Sequence, residues 1–202
     1  MFLHLYKHFI DLIMKKNAFL VAVFSMVALA QAQAQTGDSE TDSHTIGITI
    51  PTVALVDIEP VGFKNIVMDF KAPTEAGLAL ESPDENTALW LNYSFIPSDI
   101  GKTASVSVAI DAVNPKFEIK VQAAAASGSS SGGKLGSNAS GIITLSATGQ
   151  NIVTDIGASY TGDGANSGHN LTYSLNTISG SYATLIAIDN PEVTVTYTIS
   201  EQ

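Results

Sequence analysis

The 202-residue chain has no cysteine and no arginine. Without cysteine there is no disulfide and no thiolate chemistry, so the fold must hold by its apolar core. The missing arginine removes the planar fork that grips phosphates and guanine edges. Nine Lys against nineteen Asp and Glu leave a net charge of −10, and an acidic surface repels polyanions. Nucleic acid is therefore excluded as a partner, and an anionic membrane surface is disfavoured. Aromatic residues are scarce, at 7%, too few for the aromatic girdles of an outer-membrane barrel. Helical periodicity is missing too: beyond the N-terminal region no window of about eleven residues sustains an i, i+3, i+4, i+7 pattern.

The N-terminal region reads as a signal peptide over residues 1–34. Met14-Lys15-Lys16-Asn17 is followed by the apolar run Ala18 to Ala30 and then Gln-Ala-Gln-Ala, the basic start, greasy centre and small-residue exit of a secretory leader. Thirteen residues are too few to span a bilayer, for which about 20 are needed, so no membrane span is expected in the mature chain. Cleavage is expected after Ala30, Ala32 or Ala34. Residues 1–13 add nothing to this signal, which points to Met14 as the true start. The mature chain then carries 18 acids against 6 Lys. It is expected to be secreted or on the cell surface, with the periplasm as a further destination.

Residues 35–44 are polar, with nothing to bury, and read as a flexible leader. A single domain is expected over 45–202. Ile46, Ile48 and Ile50 alternate with Thr45, Gly47 and Thr49, which predicts a first strand interrupted by Pro51 and resumed over Val53 to Ile58. Further strands are predicted at Leu89 to Phe95, Ser105 to Asp111, Glu118 to Ala124, Ile142 to Thr148, Leu171 to Asn176, Ala183 to Ile188 and Val193 to Ser200. Ala72 to Leu80 has room for one helical turn. Turn chemistry stands at Pro97-Ser98-Asp99, Asn114-Pro115, Gly149-Gln150-Asn151 and Asp189-Asn190-Pro191. The Ala/Gly/Ser-rich stretch 123–141 reads as a flexible loop within the domain. Eight or nine short strands imply an all-β, antiparallel Ig-like or Greek-key β-sandwich, with a barrel as the alternative.

Trp90, the only tryptophan, is expected to be a core residue spanning the two sheets; an exposed platform for stacking a sugar ring, or an interface residue, is the alternative. The segment Tyr160 to Asn170 is rich in Gly, Asn and Asp. Asp163, Asn166 and Asn170, with Asp155 from outside, offer oxygen ligands for calcium, although the spacing is not that of an EF-hand. The plainer reading is a hairpin tip whose glycines permit positive φ. Nucleophilic serine chemistry needs a base, and His169 is the only plausible one. A carboxylate pair for glycoside hydrolysis depends on spacing in space rather than in sequence.

Four segments carry a family resemblance: Ile-Pro-Thr-Val-Ala-Leu-Val-Asp-Ile-Glu (50–59), Leu-Trp-Leu-Asn-Tyr-Ser (89–94), Gly-His-Asn-Leu-Thr-Tyr-Ser-Leu (168–175) and Val-Thr-Val-Thr-Tyr-Thr-Ile-Ser (193–200). In that order the chain resembles a group of exported β-sandwich proteins of bacterial envelopes with no established activity, and more loosely pilin-type and spore-coat-type sandwiches. The resemblance implies export and an all-β fold; the disulfide usual in pilins is absent. The reading at this point is a secreted, non-catalytic structural or adhesive surface protein. Its expected partners are other envelope proteins or copies of itself, joined by strand addition through Thr45 to Ile50. A carbohydrate- or calcium-binding module is the alternative, and a hydrolase the third.

Overall fold

The structure, a computed structural model, describes residues 41–139, 141–187 and 191–202. The expected signal peptide with its cleavage positions, the start at Met14 and the leader up to residue 40 lie outside the described residues. The chain divides into Met1–Thr49 and the compact unit Ile50–Gln202. Among the described residues no helix is long and apolar enough to cross a membrane.

The compact unit is all-β, a sandwich of two antiparallel sheets. Its strands are β1 (Val53–Glu59), β2 (Asn86–Ile96), β3 (Ala104–Ile110), β4 (Phe117–Ala123), β5 (Gly132–Gly133), β6 (Ser137–Asn138), β7 (Ile143–Thr144), β8 (Gln150–Ile156), β9 (Ser159–Tyr160), β10 (His169–Thr177) and β11 (Val195–Glu201). In the larger sheet β2 is central. β1 pairs along one of its edges, Asp57 opposite Asn92. The other edge takes β10 first, His169 opposite Leu91, and then β9, Ser94 opposite Tyr160. β4 and β7 follow β10, and β5 follows β9. The smaller sheet runs β11-β3-β8-β6.

Period-two alternation builds the core. Leu89, Leu91, Tyr93 and Phe95 of β2, with Val121, Leu171 and Tyr173, meet Ala104, Val106, Val108 and Ile110 of β3 and Ile152, Val153 and Ile156 of β8. Each fully buried branched side chain contributes roughly 1.5–3 kcal/mol, which is how a chain without disulfides is held. One bond also ties the sheets: the Tyr173 and Tyr197 hydroxyls lie 2.7 Å apart, and burial raises both phenols above their ordinary range.

Several expectations are corrected. Residues 45–50 are in no strand, and Ile46, Ile48 and Ile50 are 72%, 83% and 76% exposed; alternation makes a strand possible, but a partner edge must receive it. Ala183 to Ala187 forms no strand, and a 3-10 turn occupies Tyr182–Thr184; Ile188 and the turn residues Asp189 and Asn190 lie outside the described residues. Within Ala72 to Leu80 there is only a turn, closed by Leu78 N–H to the Glu75 carbonyl at 3.3 Å. The strand predicted at 142–148 shrinks to Ile143–Thr144.

β8, by contrast, stands partly where a turn is expected. Its register against β3 shifts twice and Asp155 takes φ +59°, so Ile152 and Val153 are both buried and the alternation that reveals a strand is broken.

The Gly/Ser stretch is no slack loop. β5 pairs with β9 in the larger sheet and β6 pairs with β8 in the smaller one, so the segment ties one sheet to the other. Two glycines make that passage possible. At Gly133 (φ +83°) a Cβ would stand 2.1 Å from the Ala158 carbonyl oxygen, and at Gly136 (φ +77°) 2.5 Å from that of Thr154. No other residue tolerates both the backbone angle and the approach.

Candidate functional site

Trp90 is not in the core. It shares parity with Asn92 and Ser94 on the face of β2 that turns away from the other sheet, where it is half-buried in a row with Glu59 of β1 and Asn170 of β10. The signal was present in the sequence: Leu89, Leu91, Tyr93 and Phe95 form the apolar set, while Trp90 travels with two polar residues.

That outer face carries a shallow groove of about 330 Å³ lined by Leu55, Asp57, Asn92, Ser94, Tyr160 and Asp163, among others. Strand register puts Leu55 opposite Ser94 and Asp57 opposite Asn92. Leu55 is 66% exposed and Tyr160 54%. The Tyr160 ring rests on Gly132, where a Cβ would meet ring atoms at 2.8–2.9 Å. Asp57 pairs with Lys64 at 2.5 Å, and the Lys64 hydrogen bond holds its carboxyl below the usual range.

Asn92 is buried. Its Nδ2 donates to the Gly164 carbonyl at 3.0 Å, but its Oδ1 has no hydrogen-bond partner, an omission that costs about 1–3 kcal/mol for a buried acceptor.

The four calcium candidates are put to different uses. Asp163 borders the groove. Asn166, at φ +67°, is exposed and serves the loop's turn. Asn170 donates its amide to the Thr87 and Leu89 carbonyls at 2.8 and 3.2 Å. Asp155 is ion-paired with Lys134 at 2.6 Å. Among the described residues no three His, Asp or Glu side chains gather closely enough to hold a metal ion.

His169 is 1% exposed and both its nitrogens are engaged. Nδ1 lies 2.8 Å from the Ala124 carbonyl, which can only accept, so Nδ1 carries the proton, and Nε2 lies 3.0 Å from the Tyr93 hydroxyl, whose single proton is shared with a second acceptor. The rings stack at 5.6 Å, and the same hydroxyl meets the Leu135 carbonyl of the Gly/Ser stretch. Burial lowers the imidazole pKa, opposed in part by the Ala124 bond. Gly128-Ser129-Ser130-Ser131-Gly132 spells a Gly-x-Ser-x-Gly pattern, yet it leads into β5 rather than a helix, outside the strand-turn-helix setting that activates such a serine.

The third feature is an edge. β11 pairs only with β3. Val195, Tyr197 and Ile199 pack on the core while remaining half-exposed, and Thr194, Thr196, Thr198 and Ser200 face outward, exposed.

Comparison of the chain with protein-family models, curated proteins and solved structures finds no match.

Proposed function

We propose that this is an exported, non-catalytic structural or adhesive component that self-associates by strand addition, residues 45–50 of one copy pairing with β11 of another. The observation that carries the reading is the exposure of Ile46, Ile48 and Ile50 on a segment that belongs to no strand. Their spacing matches the half-exposed Val195, Tyr197 and Ile199, and Thr45 and Thr49 match the outward threonines of β11.

Edge strands are ordinarily blunted by charge or proline. From Val193 to Ser200 there is neither, and the one carboxylate of β11, Glu201 at its end, is taken up by Ser98, whereas β1 carries Asp57 and Glu59 and runs into Pro60. In a chain of charge −10, a neutral strand meeting a neutral edge is where like-charged copies approach at least cost. Burying three isoleucines offers a gross roughly 5–9 kcal/mol, against about 4–15 kcal/mol for lost rigid-body freedom. The association is therefore reversible and concentration-dependent. Export rests on the N-terminal signal. The non-catalytic part is supported by His169, which is enclosed and has both ring nitrogens engaged.

Sedimentation of the mature chain over a range of concentrations should show oligomers that Ile48→Asp abolishes without lowering the melting temperature. Because the chain has no cysteine, the double variant Thr49→Cys, Thr198→Cys reports the pairing directly and should yield disulfide-linked multimers. A strictly monomeric wild type, or a cross-link formed only within one chain, overturns the reading.

A further inference from the structure

We propose that the groove on the outer face of β2 is a binding site for a neutral mono- or disaccharide. The inference stands independently of strand addition. It begins with Tyr160, whose ring is more than half exposed yet fixed from below by Gly132. Only glycine there lets the ring lie so close to the backbone, which gives it a seat on one face and leaves the other open to a ligand. A sugar presents an apolar face of C–H bonds to such a ring, and a rigid aromatic gives contact area at little entropic cost. Leu55, across the sheet row from Tyr160 through Ser94, supplies a second apolar contact.

Between them lie groups suited to hydroxyls: the carboxylates of Asp57 and Asp163, the Ser94 hydroxyl and the Asn92 amide. Asn92 adds an independent pointer to a ligand. Its amide is held on one side by Gly164, while the buried oxygen lacks a donor, which leaves the residue one hydrogen bond short at the floor of the groove it lines. The volume, about 330 Å³, lies at the small end for ligand pockets and limits the occupant to one or two sugar rings. The charge sets the class. Two carboxylates and a single lysine, already paired with Asp57, repel uronic and sulfated sugars, so an acidic ligand is excluded. Trp90, on the same face two residues from Asn92, makes a built-in reporter because it is the only tryptophan.

The experiment is titration of the mature protein with immobilised and soluble panels of neutral, amino-bearing and acidic oligosaccharides, in calcium and in EDTA, followed by Trp90 fluorescence and by calorimetry. Binding of a neutral sugar, indifferent to EDTA, is expected, and Tyr160→Ala should weaken it at least tenfold at an unchanged melting temperature. Asn92→Asp, which keeps the shape but adds charge, should weaken it too; Ile48→Asp should leave it intact. Binding only of acidic sugars, binding that Tyr160→Ala does not alter, or no neutral sugar bound at millimolar concentration overturns the site.

Discussion

Along one side of the sandwich, the Gly/Ser stretch places β5 on the larger sheet and β6 on the smaller. Along the other, β1 and β11 end their sheets with no strand on their outer edges among the described residues. The first side is sewn shut by backbone: Lys134 and Gly157 exchange hydrogen bonds with Ala158 and Lys134 carbonyls at 3.1 and 2.9 Å, and Ala139 bonds to Ile152 at 2.7 Å. The second side shows half-exposed apolar residues, Val56 and Ile58 of β1 beside Val195, Tyr197 and Ile199 of β11. An edge can be protected by covering it or by charging it. From Val195 to Ser200 β11 carries no charge, its one carboxylate being Glu201 at the strand's end, which is why it, and not the sewn side, is the place to look for a partner.

The largest effect that separates the two sides should come from Gly133→Ala. The added Cβ would stand 2.1 Å from the Ala158 carbonyl oxygen at φ +83°, so backbone must move and the left-handed angle is penalised. A loss of about 2–4 kcal/mol is expected in denaturant unfolding. A loss under about 0.5 kcal/mol would mean the stretch is as slack as its composition suggests.

Next comes pH. His169 is bonded to Tyr93, which reaches Leu135 on the sewn side, and burial lowers its pKa. The unfolded chain takes up a proton there near pH 6.5, whereas the folded protein does so only at lower pH. Below about pH 6.5 the unfolded state thus binds more protons, and stability falls as pH falls toward the folded pKa. His169→Gln should start lower in stability but show a flatter slope between about pH 6.5 and 5; equal slopes would remove His169 as the cause. Asp57, Asp111 and Glu201, all with lowered carboxyl pKa values, add their own losses only at more acid pH, below about 4.

The smallest effect on stability belongs to the open side. Thr198→Lys places a charge on the outward, exposed face of β11 and should change unfolding by less than about 0.5 kcal/mol while abolishing the concentration-dependent oligomers. If it destabilises the monomer as much as Gly133→Ala does, the edge is already covered and the contrast between the sides fails.

How far these features were legible follows from the kind of signal each one leaves. β2, β3 and β11 announce themselves because one face packs and the other does not. β8 conceals itself because its bulge puts Ile152 and Val153 on the same side. Thr45 to Ile50 shows the same alternation as β11 but is in no strand, since alternation describes a surface that can pair and not the edge that accepts it. The candidate site was half visible: Trp90, Asn92 and Ser94 share a parity, and Asp163 stands in a recognisable loop. Tyr160 and Leu55 gave no sign, because they reach the groove from strands far apart in sequence.

By itself, then, the order of residues determined the class of fold, the cysteine-free character of the strands and the faces of most of them, all properties that arise between near neighbours through period-two geometry and side-chain polarity. Only the tertiary structure decided that a glycine- and serine-rich stretch sews two sheets together, that Trp90 faces outward, that His169 is enclosed and that a tyrosine lies flat on a glycine beside an unsatisfied amide. Those outcomes depend on distances between segments dozens of residues apart, such as Gly132 and Tyr160 or Asn92 and Gly164, and such distances exist only once the sheets have paired.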